Sequence, residues 1–236
     1  MENMVVLSAL AGLATALGAG LVMLWGRPSK GLMAFMLGLA GGIMLAVACF
    51  DLFPEALILG GPGRAVAGLF WGALMMQLLG LVIGGVRTIG SGAKAEYLKT
   101  GWLILLGIAV HNLAEGVAIG AGLVVGPGLG VAIVIAIAIH NVPEGMAVAI
   151  PLRMGGLRRF RVVAFTAIAG LVTALGTWLG ALVFWRNHYL VSVALGLAGG
   201  AMVFIVVDEL IPGAREKHRH WANLGLVLGL AVGLFI

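Results

Sequence analysis

The fold of this chain is decided by a stretch that occurs twice, as LGLAGGIMLAVACFDLFPEA at residues 37–56 and as LGLAGGAMVFIVVDELIPGA at residues 195–214. Both copies place an acid and then a proline at the same distance after an identical LGLAGG, and they lie 158 residues apart. A second pair, AGLATALG (11–18) and AGLVTALG (169–176), has the same offset. Gly/Ala-rich packing sequences can converge, but convergence would not reproduce the acid, the proline and the spacing together. The chain therefore contains an internal repeat.

The composition is that of a membrane protein. Of the 236 residues, 62% are hydrophobic and 10% are charged, whereas soluble domains have roughly 25% charged residues. A helix needs about 20 apolar residues to cross a bilayer, and eight runs are long enough, at roughly 3–25, 31–58, 64–86, 100–124, 128–151, 160–185, 190–212 and 221–236. The first basic residue, Arg27, follows the first run, which is therefore expected to be a true span rather than a signal peptide. No segment resembles a nucleic-acid-binding module, so no nucleic-acid partner is expected.

The basic residues predict how the spans are oriented. Twelve of the fourteen Lys and Arg residues fall in or beside loops on one side, and the other two are Arg64 and Arg186. By the positive-inside rule the basic loops face the cytoplasm and both termini lie outside. The two copies of the repeat are five spans apart, an odd number, so they cross the bilayer with opposite polarity. The predicted fold is an all-α polytopic membrane protein, one transmembrane domain over residues 1–236 with eight transmembrane helices in inverted 3+2+3 pseudo-symmetry: spans 1–3, a central pair 4–5, and spans 6–8.

A six-residue motif recurs in the central pair, as HNLAEG (111–116) in span 4 and as HNVPEG (140–145) in span 5. The His and Glu of each motif are four residues apart and therefore share a helix face. His111 lies about 11 residues into span 4 and His140 about 12 residues into span 5, so at about 1.5 Å per residue both reach the midplane. The two spans thus present two imidazoles and two carboxylates at one depth.

Ionisable groups at this depth predict a metal site. A carboxylate at the bilayer centre costs several kcal/mol unless it is paired or coordinated. Two imidazoles and two carboxylates suit Zn2+ and tolerate Fe2+, Mn2+ or Co2+, and an amide oxygen is a weaker donor. The single cysteine, Cys49, excludes a cysteine-rich zinc site. The predicted metal ligands come from both motifs: His111, Asn112, Glu115, His140, Asn141 and Glu144.

Three alternatives stay open at this point. The His and Glu side chains could form buried hydrogen-bonded pairs that tie the two helices together without an ion. An intramembrane zinc-dependent hydrolase is a second alternative, but its usual HExxH helix has Glu beside the first His and a second His at i+4, whereas both motifs here have Asn beside the His and Glu at i+4. A proton or organic-solute transporter could use the same buried acids.

Further acids lie near the ends of the two repeated spans. Asp51 and Glu55 are near the outer end of span 2, and Asp208 and Glu209 are near the inner end of span 7. Carboxylates in these places could exchange the hydration shell of an ion in stages, which predicts a path from the first pair to the second. Met44 of span 2 is a candidate soft contact, although packing is the favoured interpretation.

These residues resemble those of a known family. The paired motifs, with FDLFPEA at the end of span 2 and DELIP at the end of span 7, resemble the ZIP (Zrt/Irt-like) metal transporters, and most closely their prokaryotic GufA-like branch. The resemblance covers essentially the whole chain. It implies metal uptake toward the cytoplasm across a prokaryotic cytoplasmic membrane, a homodimer, and an elevator-like movement of spans 1, 4, 5 and 6 against spans 2, 3, 7 and 8.

The resemblance also implies which residues hold the ion. The ligand positions of the family fall on the six residues of the two motifs given above. Some members carry a glutamate in span 6 that bridges two metals, and the matching position here is Thr173, a departure that argues against a fully occupied two-metal centre. We expect a transporter and not an enzyme, with no catalytic cofactor, that moves Zn2+ by alternating access. Fe2+, Mn2+, Cd2+ and Co2+ are the other candidate ions.

Overall fold

The described residues of the protein are almost entirely helical. The computed structural model describes residues 2–24, 29–85, 92–125, 127–183 and 188–235. In chain order the helices are α1 (Glu2–Leu24), α2 (Lys30–Ala46), α3 (Phe53–Gly85), α4 (Ala93–Val125), α5 (Pro127–Met154), α6 (Arg159–Val183), α7 (His188–Ile205) and α8 (Ile211–Gly233). The predicted all-helical class is confirmed.

Five helical stretches of the described residues are long and apolar enough to cross a membrane. They are Asn3–Leu24, Lys30–Val82, Ala93–Val117, Arg159–Leu182 and Tyr189–Gly233. Two of them, of 53 and 45 residues, far exceed the roughly 20 residues that one crossing needs. One of these two is broken at Gly61, where φ is 76°, and the other at His218, where the backbone is extended. A positive φ is a conformation that glycine adopts without strain. Both breaks lie between predicted spans.

A π-helical turn interrupts the helix at the same place in each copy of the repeat, at Val47–Leu52 and at Val206–Leu210. The N–H that follows each turn donates to a carbonyl five residues earlier, from Phe53 to Ala48 and from Ile211 to Val206. A proline comes next in both copies. Because proline has no N–H, the regular helical ladder cannot continue through it, and the wider turn accommodates the gap. The repeat read from the sequence is therefore also a repeat of backbone structure.

The helices pack as two groups. The site group consists of α1, α4, α5 and α6, and the flanking group consists of α2, α3, α7 and α8. Glycines bring backbones into contact inside the site group: a Cβ on Gly12 of α1 would collide with the carbonyl of Gly170 in α6, and a Cβ on Gly116 of α4 would collide with the carbonyl of Thr173 in α6. Such contacts leave no room for a side chain between the helices, which fixes their relative positions.

The flanking group is built in the same way. A Cβ on Gly42 of α2 would collide with the carbonyl of Leu226 in α8, and a Cβ on Gly200 of α7 would collide with the carbonyl of Leu69 in α3. Between the two groups, side chains make the contact. At Gly107 of α4, for example, the space is filled by the side chain of Ile205 from α7. Each group is therefore held together by backbone contacts, and the two groups contact each other through side chains.

Candidate metal centre

The two repeated motifs lie side by side on α4 and α5, inside the site group. His111, Glu115, His140 and Glu144 are all buried, with at most 4% of any of them exposed. One candidate ligand atom from each of the four lies within 4.8 Å of the other three. The structure therefore brings together the four residues that the motif spacing selects, and it does so across two helices.

Glu115 is the central group of this cluster. Its Oε1 lies 2.7 Å from Nε2 of His111 and is also in direct contact with Nε2 of His140. Glu144 approaches the cluster from α5, with its Oε1 3.3 Å from Nε2 of His111. The contacts of Glu115 with His140 and of Glu144 with His111 join the two helices, so neither motif is complete without the other.

Most polar atoms of the cluster lack a hydrogen bond. Both oxygens of Glu144, Oε2 of Glu115 and Nδ1 of each histidine have none, and Nε2 of His111 lies near two carboxylates without hydrogen-bond geometry. A buried polar atom without a partner costs about 1–3 kcal/mol, and more if the group is charged. Hydrogen-bonded pairs without an ion would leave these atoms unsatisfied, whereas a divalent cation accepts lone pairs from imidazole and carboxylate together.

The two asparagines connect the cluster to the neighbouring helices. Nδ2 of Asn112 donates to the carbonyl of Ala169 in α6 at 3.0 Å, and Nδ2 of Asn141 donates to the carbonyl of Ala11 in α1 at 3.1 Å. Ala11 and Ala169 are counterparts in the repeat, so the two bonds are equivalent. The Oδ1 of each amide is buried without a partner. The amide nitrogens hold helices in place, and the oxygens, which the sequence predicts as weaker donors, stay available.

Two of the acids predicted along a path, Asp51 and Glu55, are exposed in the first copy of the repeat. Asp51 is in the π-helical turn Val47–Leu52. Glu55 lies in the first turn of α3. Met44 is fully buried in the hydrophobic core, which agrees with the packing interpretation.

The second pair of acids borders a cavity. Asp208 is exposed, and Glu209 is half-buried and accepts a hydrogen bond from Oγ1 of Thr100 at 2.7 Å. The cavity, of about 460 Å³, lies between the start of α4, the end of α5 and the turn Val206–Leu210. Its polar lining includes Glu96, Lys99, Thr100, Asp208, Glu209 and Lys217.

Sequence reasoning did not single out Glu96 or Thr100, because the fourth apolar run begins only at residue 100. Helix α4 begins at Ala93, and the spacing of four residues between Glu96 and Thr100 puts both on one helix face. That spacing, within a segment without glycine or proline, was the available signal. The helix thus extends the polar wall of the cavity beyond the apolar run.

A buried cluster of imidazole and carboxylate groups, enclosed by apolar helices long enough to cross a bilayer, defines a membrane protein with a buried site suited to a metal ion. Comparison with known proteins agrees. The model of the family described as ZIP Zinc transporter matches residues 88–236. The chain belongs to this family and is an integral membrane protein, so the resemblance drawn from the paired motifs is confirmed.

Similar proteins come from several bacteria. Zinc transporter ZupT of Corynebacterium aurimucosum is 32% identical in an alignment of 242 positions that covers 94% of this chain and 91% of that protein. Zinc transporter ZIPB of Bordetella bronchiseptica is 38% identical in an alignment of 237 positions that covers 94% of this chain and 76% of that protein. Zinc transporter ZupT of Escherichia fergusonii is 31% identical in an alignment of 252 positions that covers 98% of this chain and 95% of that protein. The similarity therefore extends over nearly the whole chain.

Proposed function

We propose that the protein carries a divalent transition-metal ion, Zn2+ foremost, across the membrane through the cluster of His111, Glu115, His140 and Glu144. The observation that carries this proposal is the convergence of four buried donor groups, most of whose polar atoms have no other partner. The set of two nitrogens and two oxygens is one that Zn2+ accepts. Membership of a transporter family supports transport over hydrolysis, and several relatives are named zinc transporters.

We propose that the protein crosses the membrane eight times. Breaks at Gly61 and His218 divide the two over-long apolar stretches, and each break coincides with a loop expected between two spans. The repeated turns at Val47–Leu52 and Val206–Leu210 support two copies in inverted orientation. With the basic loops in the cytoplasm, both termini lie outside and the ion moves inward across a prokaryotic cytoplasmic membrane. The homodimer stays a prediction.

Transport by alternating access would use the division into two groups. Glycine-lined contacts make the site group a unit that carries the cluster with it, and the flanking group is a second unit. Contacts between the units include aliphatic side chains such as that of Ile205, which can repack as the surfaces slide. We propose that the site group moves against the flanking group and exposes the ion first to one side and then to the other.

The ion would follow the acids that border the cluster. Asp51 and Glu55, which are both exposed, are placed at the outer entrance. Asp208 and Glu209 border the cavity, which we place on the cytoplasmic side as the exit. Metal ligands must be deprotonated to bind, so uptake weakens as the medium becomes acidic.

The test is metal influx into liposomes that contain the purified protein and a metal-sensitive dye. We expect Zn2+ influx with the unaltered protein and none with His111→Ala/His140→Ala. The matched control is His218→Ala/His220→Ala, which also removes two imidazoles but from exposed positions, and it should retain influx. Full influx in the His111→Ala/His140→Ala protein would refute the site. An activity that chelators do not affect would instead indicate a proton or solute transporter.

A further inference from the structure

We propose that an arginine-rich turn between α5 and α6 binds the headgroup of an anionic phospholipid in the cytoplasmic leaflet of the membrane. This arginine turn comprises residues 153–161, RMGGLRRFR. The inference goes beyond metal transport and does not depend on the metal centre. It takes from the proposed function only the orientation that places this turn at the cytoplasmic surface.

The charge of the arginine turn is entirely positive. The sequence contains no Asp or Glu between Glu144 and Asp208. Any opposite charge must therefore come from another part of the fold or from outside the protein. The arginines of the turn are all exposed: Arg153, Arg158, Arg159 and Arg161.

Within the part of the chain that the structure describes, no carboxylate pairs with these arginines. The guanidinium of Arg153 donates to the carbonyl of Leu157 at 3.2 Å, inside the turn itself. The side chains of the other three make no hydrogen bond or ion pair with the described residues. By contrast, Arg215 of α8 donates to Asn223 at 3.0 Å and is followed by Glu216. The arginine turn thus presents unneutralised positive charge, which an anionic ligand would complement.

Backbone hydrogen bonds fix the shape of the turn. The N–H of Leu157 donates to the carbonyl of Leu152 at 3.1 Å, and the N–H of Gly156 donates to that of Arg153 at 3.1 Å. Gly156 has a φ of 96°, a left-handed conformation that glycine adopts without strain. This combination is the Schellman motif, which ends a helix sharply. Because α6 begins at Arg159, the motif holds the arginines of both helix ends close together.

The turn also packs against a third helix. A Cβ on Gly155 would lie 2.5 Å from the side chain of Leu98 in α4, so the turn rests directly on that helix. Helices α4, α5 and α6 all belong to the site group. The arginines are therefore attached to one rigid part of the fold and do not sit on a long loop.

An aromatic side chain next to the arginines indicates the kind of anion. Phe160 is 83% exposed, although Arg159 and Arg161 flank it. At a membrane surface such a ring can enter the apolar region while basic side chains stay at the headgroups. Guanidinium groups bind phosphate oxygens through paired hydrogen bonds. A ligand with an anionic phosphate and apolar chains matches both features, whereas a soluble anion matches only the charge.

The experiment is native mass spectrometry of the purified full-length protein in a neutral detergent. Phosphatidylglycerol or phosphatidylcholine with the same acyl chains is added, and the unaltered protein should retain phosphatidylglycerol in preference. Arg158→Gln/Arg159→Gln/Arg161→Gln should lower the affinity for phosphatidylglycerol about a hundredfold, because each basic residue beside an anionic surface contributes roughly fivefold. Arg158→Lys/Arg159→Lys/Arg161→Lys keeps the charge and should stay within about tenfold of the unaltered protein.

The matched control removes the same charge from the flanking group. Lys30→Gln/Arg215→Gln/Arg219→Gln alters three exposed basic residues of α2 and α8 and should keep the preference for phosphatidylglycerol. An equal loss in this control would overturn the inference, since the effect would then come from net charge. Equal retention of the two lipids by the unaltered protein would overturn it as well.

A soluble competitor separates a lipid from a free phosphate compound. Glycerophosphoglycerol, the headgroup without its acyl chains, should bind more than about tenfold less tightly, because the chains add apolar burial. Binding as tight as that of the lipid would refute a lipid site. These measurements need no metal, so their failure leaves the proposed metal transport standing. Absence of Zn2+ influx with the lipid preference intact would refute the proposed function alone.

Discussion

The two glutamates of the cluster make different contacts. Glu115 faces both imidazoles, whereas Glu144 approaches only His111 and has no hydrogen bond. A carboxylate between two imidazole nitrogens orients both rings, in addition to any bond it would make to an ion. The duplicated motif thus yields a centre in which the copy on α4 has the larger share of contacts.

This difference predicts unequal effects of two identical substitutions. Glu115→Gln should weaken Zn2+ binding about tenfold more than Glu144→Gln, which corresponds to about 1.4 kcal/mol, because it disturbs both histidines. Titration of each purified variant with Zn2+ measures this directly. Equal losses would show that the contacts of Glu115 in the structure do not persist in the metal-bound protein.

The asparagines allow a second prediction at this scale. Asn112→Ala removes the donor to the carbonyl of Ala169 in α6, so the protein stripped of metal with a chelator should lose about 1–3 kcal/mol of stability. Thermal unfolding in detergent, compared with that of the unaltered protein, provides the measurement. An unchanged unfolding temperature would show that this amide does not stabilise the protein.

Residue patterns predicted the histidines and glutamates of the cluster because an i, i+4 spacing fixes a shared helix face. The partners of the asparagines could not be predicted in this way. Asn112 bonds to a residue 57 positions away and Asn141 to one 130 positions away, and these pairings depend on how α1 and α6 cross.

Within the helical elements, glycines have different roles that sequence alone does not separate. Gly12 and Gly20 both lie in α1, yet a Cβ on Gly12 would collide with the backbone of α6, whereas a Cβ on Gly20 would have no atom within 4 Å. The glycine content of α1 therefore predicts a helix that packs closely against its neighbours, and only the structure shows which glycine makes the contact.

Alanine substitutions should reveal this difference. Gly12→Ala should destabilise the protein by about 1–3 kcal/mol, the cost of overpacking, whereas Gly20→Ala should be neutral or stabilising, because alanine favours helix by about 1 kcal/mol over glycine. Thermal unfolding of both variants in the same detergent gives the comparison. Equal unfolding temperatures would contradict the close approach of α1 and α6.

The hydropathy of the sequence predicted where the helices lie, but it did not predict their irregular turns. The apolar runs end near the observed breaks at Gly61 and His218 because polar and glycine-rich segments separate them. The π-helical turns at Val47–Leu52 and Val206–Leu210 have no periodicity of their own over so short a length. The prolines after them indicate that the regular helical hydrogen bonding is interrupted. They do not indicate that a π-helical turn accommodates the interruption.

At the scale of the whole molecule, the proposed movement between the two groups can be tested by linking them. In a background in which the exposed Cys49 is replaced by serine, Thr100→Cys/Glu209→Cys places one thiol on α4 and one on the turn Val206–Leu210 between α7 and α8, where Oγ1 of Thr100 and Oε2 of Glu209 are 2.7 Å apart. A short crosslinker that joins the two thiols through disulfide bonds should stop Zn2+ influx, and reduction of the same sample should restore it. Comparing each sample with itself removes any effect of the substitutions.

The control link lies inside the flanking group. Phe35→Cys/Trp221→Cys places thiols on α2 and α8, where the two rings pack edge to face with their centroids 6.2 Å apart. The same crosslinker on this pair should leave influx at the level of the reduced sample, because both helices belong to one unit. Loss of influx with both links, or with neither, would contradict movement of one group against the other.

The equivalent bonds from Asn112 to Ala169 and from Asn141 to Ala11 also bear on the thermodynamics of transport. They anchor the helices that bear the two motifs to counterpart helices of the repeat, so both are held in the same way although their side chains make unequal contacts in the cluster. A carrier that uses the proposed alternating access without an energy source works reversibly, and the ion concentrations on the two sides then decide which way the net current runs.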